Sequence, residues 1–306
     1  HALEKLLAKD ISHEYLSSLF MNRLNVEFSG RLTEAISIFT DTHPKKFLHQ
    51  LVSSQLDVDR LDYLNRDSFF TGVSEGVISS DRIIKMLDIA DGNLVIEEKG
   101  IYSVEKFITA RRLMYWQVYL HKTVLAAEHM LINIIERARE LAAEGVPLFG
   151  TESFLEFLVN EYSTSDFSEN DRLLEKFASL DDFDVFTSIK VWCNHPDKVL
   201  STLCKGLTNR KLYKIEISRD PFTVDVLQKR QIESCLIAGV PLEQSRYLAF
   251  EGSIENNAYD ADDNKINILF KNGVYQDIAK ASDNFNIDAL TKPVKKYFLC
   301  SLKSNG

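Results

Sequence analysis

Gln55-Leu-Asp-Val-Asp-Arg-Leu-Asp-Tyr-Leu-Asn-Arg-Asp-Ser-Phe-Phe-Thr-Gly72 sets four aspartates, two arginines and a tyrosine into an otherwise apolar pattern. Read at 3.6 residues per turn, Asp59, Asp62, Tyr63, Arg66 and Asp67 fall at i, i+3, i+4, i+7 and i+8, one stripe of a helix. Leu56, Leu61 and Leu64 supply much of the apolar remainder. Carboxylate oxygens suit a hard cation, and arginine beside a hydroxyl suits a phosphate, so this helix has the donors for both. The same stripe also fits a solvated helix face on which Asp62 and Arg66 form an ordinary i,i+4 ion pair.

Three other segments extend the pattern. Downstream, Arg111-Arg-Leu-Met-Tyr115-Trp-Gln-Val-Tyr119-Leu-His121-Lys122 lies near the start of a run without Gly or Pro from Ser103 to Glu144. Arg111, Tyr115 and Tyr119 stand at i, i+4 and i+8, a cation and two rings along one ridge that could line a nucleotide pocket. Aromatic core packing with Arg111 in solvent is the plainer account of that spacing. Upstream, Ser12 reads as an N-cap and His13 as the first residue of a helix, a place from which an imidazole can bond a phosphate or a leaving oxygen. The chain opens His1-Ala-Leu-Glu4.

The central segment closely resembles the last metal-ligand helix of the HD-domain phosphohydrolases, in particular the deoxynucleoside triphosphate triphosphohydrolase branch. The resemblance implies that Asp59 completes a His, His-Asp, Asp metal site. It implies that Arg60 and Tyr63 hold triphosphate oxygens and that Asp67 meets the sugar 3′-hydroxyl. The family often has lysine where this chain has Arg60, which changes the geometry of that contact. His1-Ala-Leu-Glu4 looks like the tail of the family's His-Asp-x-Gly-His-x-x-x-Ser-His-x-x-Glu motif. On that likeness His1 and Glu4 are the catalytic histidine and its carboxylate partner, and the His and His-Asp ligands precede residue 1. His13 matches a second active-site histidine. Arg111, Tyr115 and Tyr119 match substrate-binding positions, with Tyr119 on the sugar, and His121 and Lys122 match a His-Lys pair near interfaces that bind regulatory nucleotides.

The resemblance implies a metal-dependent hydrolase that attacks the α-phosphorus of a deoxynucleoside triphosphate and releases deoxynucleoside and tripolyphosphate. The cofactor is a divalent or trivalent metal ion, with Mn, Mg, Fe and Zn not separable from sequence. A homo-oligomer and a nucleotide effector are the implied partners. Two other functions stay open: an HD phosphohydrolase acting on another nucleotide phosphoester, and a catalytically idle nucleotide-binding sensor.

Composition bounds these readings. The 306 residues exceed the usual size of a single core, and 12 glycines with 6 prolines are few enough to favour long helices. A net charge of −9 argues against a general nucleic-acid surface. The four cysteines, Cys193, Cys204, Cys235 and Cys300, show no Cys-x-x-Cys spacing, which fits a reducing cytoplasm. No apolar run reaches the roughly 18 residues needed to span a bilayer.

The fold expected is mainly α: an HD-type helical core over residues 1–145, a helical extension over 146–210 and a smaller α+β C-terminal lobe over 211–306, regulatory or for oligomerisation. Within the core, residues 92–102 alternate like a hairpin, with turns at Asp91-Gly92 and Lys99-Gly100, expected to sit outside the hydrophobic centre. Strands are expected at 212–217, 247–255, 265–270 and 295–301, with a helix at 223–239 among them.

Overall fold

Asp57 decides where the central helix begins. Its backbone is extended, and its carboxylate accepts from the Arg60 amide over 2.8 Å, satisfying one of the donors that a first helical turn leaves open. The helix then runs Val58–Thr71 and stops at Gly72, whose φ of +72° is a left-handed conformation that glycine adopts without strain. The computed structural model describes residues 11–260, 265–282 and 292–303.

In chain order, the first half holds α1 (His13–Glu27), α2 (Thr33–Phe39), α3 (Lys46–Val52), α4 (Val58–Thr71), α5 (Ser80–Lys85), β1 (Leu87–Ala90), β2 (Asn93–Glu97), α6 (Ile101–Met114) and α7 (Lys122–Ala143). The second half holds α8 (Glu152–Val159), α9 (Thr164–Glu169), α10 (Asp171–Ala178), α11 (Asp182–Trp192), α12 (Lys198–Thr208), β3 (Lys214–Ser218), α13 (Val224–Ala238), β4 (Ala249–Asn256), β5 (Asn267–Leu269), β6 (Tyr275–Asp277), α14 (Ile278–Ala281) and β7 (Val294–Ser301). The protein is mainly helical with a smaller mixed region towards the C-terminus, the class expected from sequence.

The chain forms two compact units, neither continuous in sequence. One comprises the described residues within Met21–His121 and Glu255–Lys295; the other, those within His1–Phe20, Lys122–Ile254 and Lys296–Gly306.

The unit holding α4 is built on a four-stranded sheet of order β1-β2-β5-β6. β1 and β2 form an antiparallel hairpin about Asp91-Gly92, both at positive φ. β2 pairs with β5 in parallel, Ile96 opposite Ile268, and β6 returns antiparallel to β5. The hairpin is not peripheral, as the sequence suggested: Val95 and Ile96 are each only 1% exposed, and Ile96 joins Leu64, Ile83, Phe107, Met114 and Ile268 in one apolar core. The reason is β5, which arrives from late in the chain to cover the hairpin. Lys99-Gly100 ends a short 3₁₀ turn leading into α6 instead of a second hairpin turn. Gly76 sets the spacing of α4 and α6, since a Cβ there would lie 2.6 Å from Met114 Sδ and 2.8 Å from Ser68 Cβ.

The Gly- and Pro-free run from Ser103 is not one helix. α6 widens at its end into a π turn over Tyr115–Tyr119, closed by the Leu120 amide donating to the Tyr115 carbonyl over 2.7 Å, before α7 starts at Lys122.

In the other unit, α7 carries a buried apolar face, including Met130, Ile134 and Ala138. Its Arg137 reaches Asp197 at the N-cap of α12 through Nε to Oδ1 at 3.3 Å and Nη2 to Oδ2 at 2.7 Å. A three-stranded sheet of order β3-β7-β4 lies in the same unit, with β3 antiparallel to β7 and Ile217 opposite Phe298. Helices α8 to α10 are short and are pinned by rings: Phe157 stacks on Phe167 at 6.0 Å and meets Phe177 edge-on at 5.5 Å.

Candidate active site

α4 and the α6–π segment bring most of the expected residues of one unit together. Tyr63 and Asp67 lie one turn apart on α4, and Tyr119 faces both of them. Tyr119 Oη donates to Asp67 Oδ2 over 2.8 Å. The Tyr119 ring meets Tyr63 edge-on at 6.0 Å and Tyr115 edge-on at 5.2 Å, while the Arg111 guanidinium lies 5.9 Å from the Tyr115 ring centre. Within the ridge read from the i, i+4 spacing, the two tyrosine rings therefore meet edge to face. Arg111, Tyr115 and Tyr119 are all half-buried, and Arg111 Nε is buried without a hydrogen-bond partner.

Arg60 is clamped from the helix N-terminus. Its Nε donates to the Ser54 carbonyl over 2.8 Å and lies 3.2 Å from Asp57 Oδ2. Asp57 itself is buried and also accepts from the Ser54 amide at 3.2 Å, so one carboxylate caps α4 and orients the guanidinium. The sequence reading placed Asp57 among the acidic residues without that role. An aspartate directly before an apolar-periodic helix is the signal that could have found it.

The phenols stay protonated. Burial pushes Tyr63 above its ordinary value, with Tyr115 acting the same way and the Arg111 and Arg60 charges pulling against it. Burial raises Tyr119 far more strongly, reinforced by its hydrogen bond to Asp67. Both rings are thus hydrogen-bond donors at neutral pH. The cluster offers two guanidinium groups and a phenol for a polyanion, next to a carboxylate that can accept from a hydroxyl.

The other candidates have settings of their own. Asp59 is exposed and makes no ion pair among the described residues. Asp62 and Arg66 form the i,i+4 pair read from spacing, Oδ2 to Nη2 at 3.0 Å, with both side chains more than half exposed. His13 starts α1 after Ser12, whose Oγ accepts from the Tyr15 amide at 3.2 Å, and its ring lies 3.1 Å from Glu14. His13 and Lys122 belong to the other unit, while His121 closes the π turn with its amide on the Val118 carbonyl at 3.2 Å. His1 and Glu4 lie outside the described residues. No group of three or more His, Cys, Asp or Glu able to hold a metal ion occurs among the described residues, and no helix among them is long and apolar enough to cross a membrane.

Residues 78–147 match a family model described as an HD associated region. A phosphohydrolase from Bacteroides thetaiotaomicron, known from its crystal structure, is 52% identical and superposes with a TM-score of 0.94, covering 99% of this chain and 75% of its own. An uncharacterized Bacillus subtilis protein is 35% identical over 181 residues, 59% of this chain and 40% of the relative. A Dictyostelium discoideum deoxynucleoside triphosphate triphosphohydrolase SAMHD1 homolog is 23% identical over 173 residues, 56% of this chain and 29% of the relative. The chain thus spans less than half the length of these two curated relatives. A match of 52% identity along three quarters of a phosphohydrolase, with an HD-associated region in its middle, places the chain: it belongs to the HD-type phosphohydrolases.

Proposed function

We propose that the complete protein hydrolyses deoxynucleoside triphosphates to deoxynucleoside and tripolyphosphate. One observation carries the reading: Arg60, Arg111 and Tyr63 gather on the same helix pair as the Tyr119–Asp67 couple. That gives a cationic rim for a phosphate chain beside an acceptor for a sugar hydroxyl. The name of the Dictyostelium relative supports the same substrate class.

Arg60 enters the reaction pre-oriented by Asp57 and Ser54, and Arg111 brings a buried Nε that a phosphate oxygen could satisfy. Both neutralise charge on the phosphate chain, and Tyr63 donates its phenolic proton. Asp67 and the Tyr119 ring hold the sugar, which fixes the angle at which the α-phosphorus is presented.

HD phosphohydrolases act with a divalent metal, but the described residues do not make such a centre. Asp59 is the single carboxylate in the implied position, and one carboxylate falls short of a catalytic site. Asp59 is therefore proposed only as one donor of a larger set, and the steps above are those of this chain's own side chains. A cytoplasmic homo-oligomer with a nucleotide effector near Lys122 belongs to the same proposal.

The test is incubation of the complete protein with Mn²⁺ or Mg²⁺ and each of the four deoxynucleoside triphosphates, with products resolved by ion exchange. Tripolyphosphate plus deoxynucleoside is the expected result. Orthophosphate or pyrophosphate would move the assignment to another phosphoester, and no turnover, alone or in mixtures, would favour a sensor.

A further inference from the structure

A cavity of about 590 Å³ opens between α13, the start of β3 and the end of β7, wholly within the unit that does not hold α4. That is room for a small organic molecule. Its charged lining is unbalanced. Arg230 donates through Nη2 to Glu216 Oε1 and through Nη1 to Glu233 Oε2, each at 3.0 Å, and Lys214 Nζ donates to the same Glu216 oxygen at 3.1 Å. The Lys214 hydrogen bond, helped by the Arg230 charge, holds Glu216 below the usual carboxylate range, so it stays ionised and keeps both partners. Lys303 is exposed and makes no ion pair among the described residues. Three cations therefore meet two carboxylates, and one positive charge is left over.

Ser234 is the second sign of a ligand. It lines the cavity and is only 1% exposed, yet its Oγ is buried without a hydrogen-bond partner. A buried helical serine commonly donates to the carbonyl four residues back, as Ser188 does to Asp184 over 2.7 Å. Ser234 does not, and a buried hydroxyl left open is costly unless something in the cavity meets it.

The donors separate the ligand classes. Lys214 keeps two of its three protons, Lys303 keeps three and Ser234 keeps one. Those exceed the roughly four lone-pair sites of a carboxylate. A phosphate group presents three strong acceptor oxygens and a charge of about −1.5 to −2 at pH 7. Leu236, Ile237 and Leu302 supply apolar surface beside the cations, and Leu236 is 77% exposed.

We propose that this cavity binds a small organic phosphate. Lys214, Lys303 and Ser234 hold the phosphate group, and the apolar body rests on Leu236, Ile237 and Leu302. Arg230 ties Glu216 and Glu233 down, so that their charges do not turn the site against an anion. The site is independent of the reaction proposed for the α4 cluster.

Phenylphosphonate is the probe, because its carbon–phosphorus bond withstands a phosphoester hydrolase. Calorimetry on the complete protein compares it with benzoate in wild type, Lys303→Gln, Ser234→Ala and Arg111→Gln. Wild type should bind phenylphosphonate at least about tenfold more tightly than benzoate. Affinity should fall about tenfold in Lys303→Gln, the size of a hydrogen bond to a charged group, and about fivefold in Ser234→Ala. Lys303 is exposed, so its replacement leaves the fold intact. Arg111→Gln, which alters the α4 cluster, should bind phenylphosphonate as wild type does. No binding at millimolar concentration, benzoate bound equally well, wild-type affinity in Lys303→Gln, or affinity lost in Arg111→Gln would each overturn the proposal.

Discussion

Removing Asp197 should weaken the protein more than any surface substitution, and the structure sets the size of the loss. The side chain does two jobs, receiving Arg137 through two contacts and capping α12 by accepting from the Leu200 amide at 2.7 Å. Arg137 and Asp197 are 9% and 12% exposed, so water screens the pair poorly. Breaking a buried pair from one side costs about 3–5 kcal/mol, and the low end applies because Glu140 stays 2.9 Å from Arg137 to share its charge. Loss of the cap adds about 1 kcal/mol, which brings Asp197→Ala to about 4 kcal/mol. Asp197→Asn keeps a good cap and a neutral acceptor and should cost about 2 kcal/mol. Urea unfolding at pH 7, followed by circular dichroism and by the fluorescence of buried Trp192, reads both. Either variant within about 1 kcal/mol of wild type, or the two variants alike, would refute the reasoning.

The same residue sets an acid limit. Burial alone would raise the Asp197 carboxyl, but the Arg137 guanidinium and the Leu200 amide outweigh it and leave it below the usual carboxylate range. A carboxylate lowered by folding gives stability that is fully present above its unfolded value, near ~4, and that is lost as pH falls through the lower folded value. The gap between wild type and Asp197→Asn should therefore be constant from neutral pH down to about 5 and close below about 4.

Other substitutions test the packing around the site and the thiols. Gly76→Ala forces a methyl group onto Met114 and Ser68 and should lower stability by about 1–3 kcal/mol, read as a drop in melting temperature. An unchanged melting temperature would mean that α4 and α6 are less tightly apposed than described. Native protein treated with Ellman's reagent should release one fast thiol, from half-exposed Cys193. Cys204, Cys235 and Cys300 are buried, and burial pushes the Cys300 thiol up to about 12. Three or more fast thiols would contradict the burial.

Local signals made the central helix legible. The apolar period acts within a few residues and marks the helix, while its ends, Asp57 as cap and Gly72 as stop, came only from the structure. The Arg111, Tyr115 and Tyr119 ridge was also visible, because four-residue spacing keeps side chains neighbours even where the helix widens. The π turn itself was not visible, since nothing in Tyr-Trp-Gln-Val-Tyr breaks an α-helix as Gly or Pro would. The hairpin of β1 and β2 was found but placed wrongly. Strand alternation records that one face is covered, not which distant segment covers it. Buried charges such as Arg137 and Asp197 were equally silent, because their partners lie 60 residues apart in sequence. The two-unit arrangement escaped for the same reason: each unit is assembled from stretches that composition alone cannot join.

The interrupted unit has a consequence for how the chain is made. Gln55 accepts from the Asp260 amide, 205 residues later, and Ser282 bonds Glu105 across 177 residues. A ribosome working at roughly 5–20 residues per second needs about 10–40 seconds to cover the longer interval. For most of that time the edge of β2 that pairs with β5, along Val95 and Ile96, stays open while the intervening unit is synthesised. The newborn chain therefore carries an unpaired strand edge for tens of seconds, which makes this hairpin the point where a holding chaperone would be most needed and where translation pauses would do most harm.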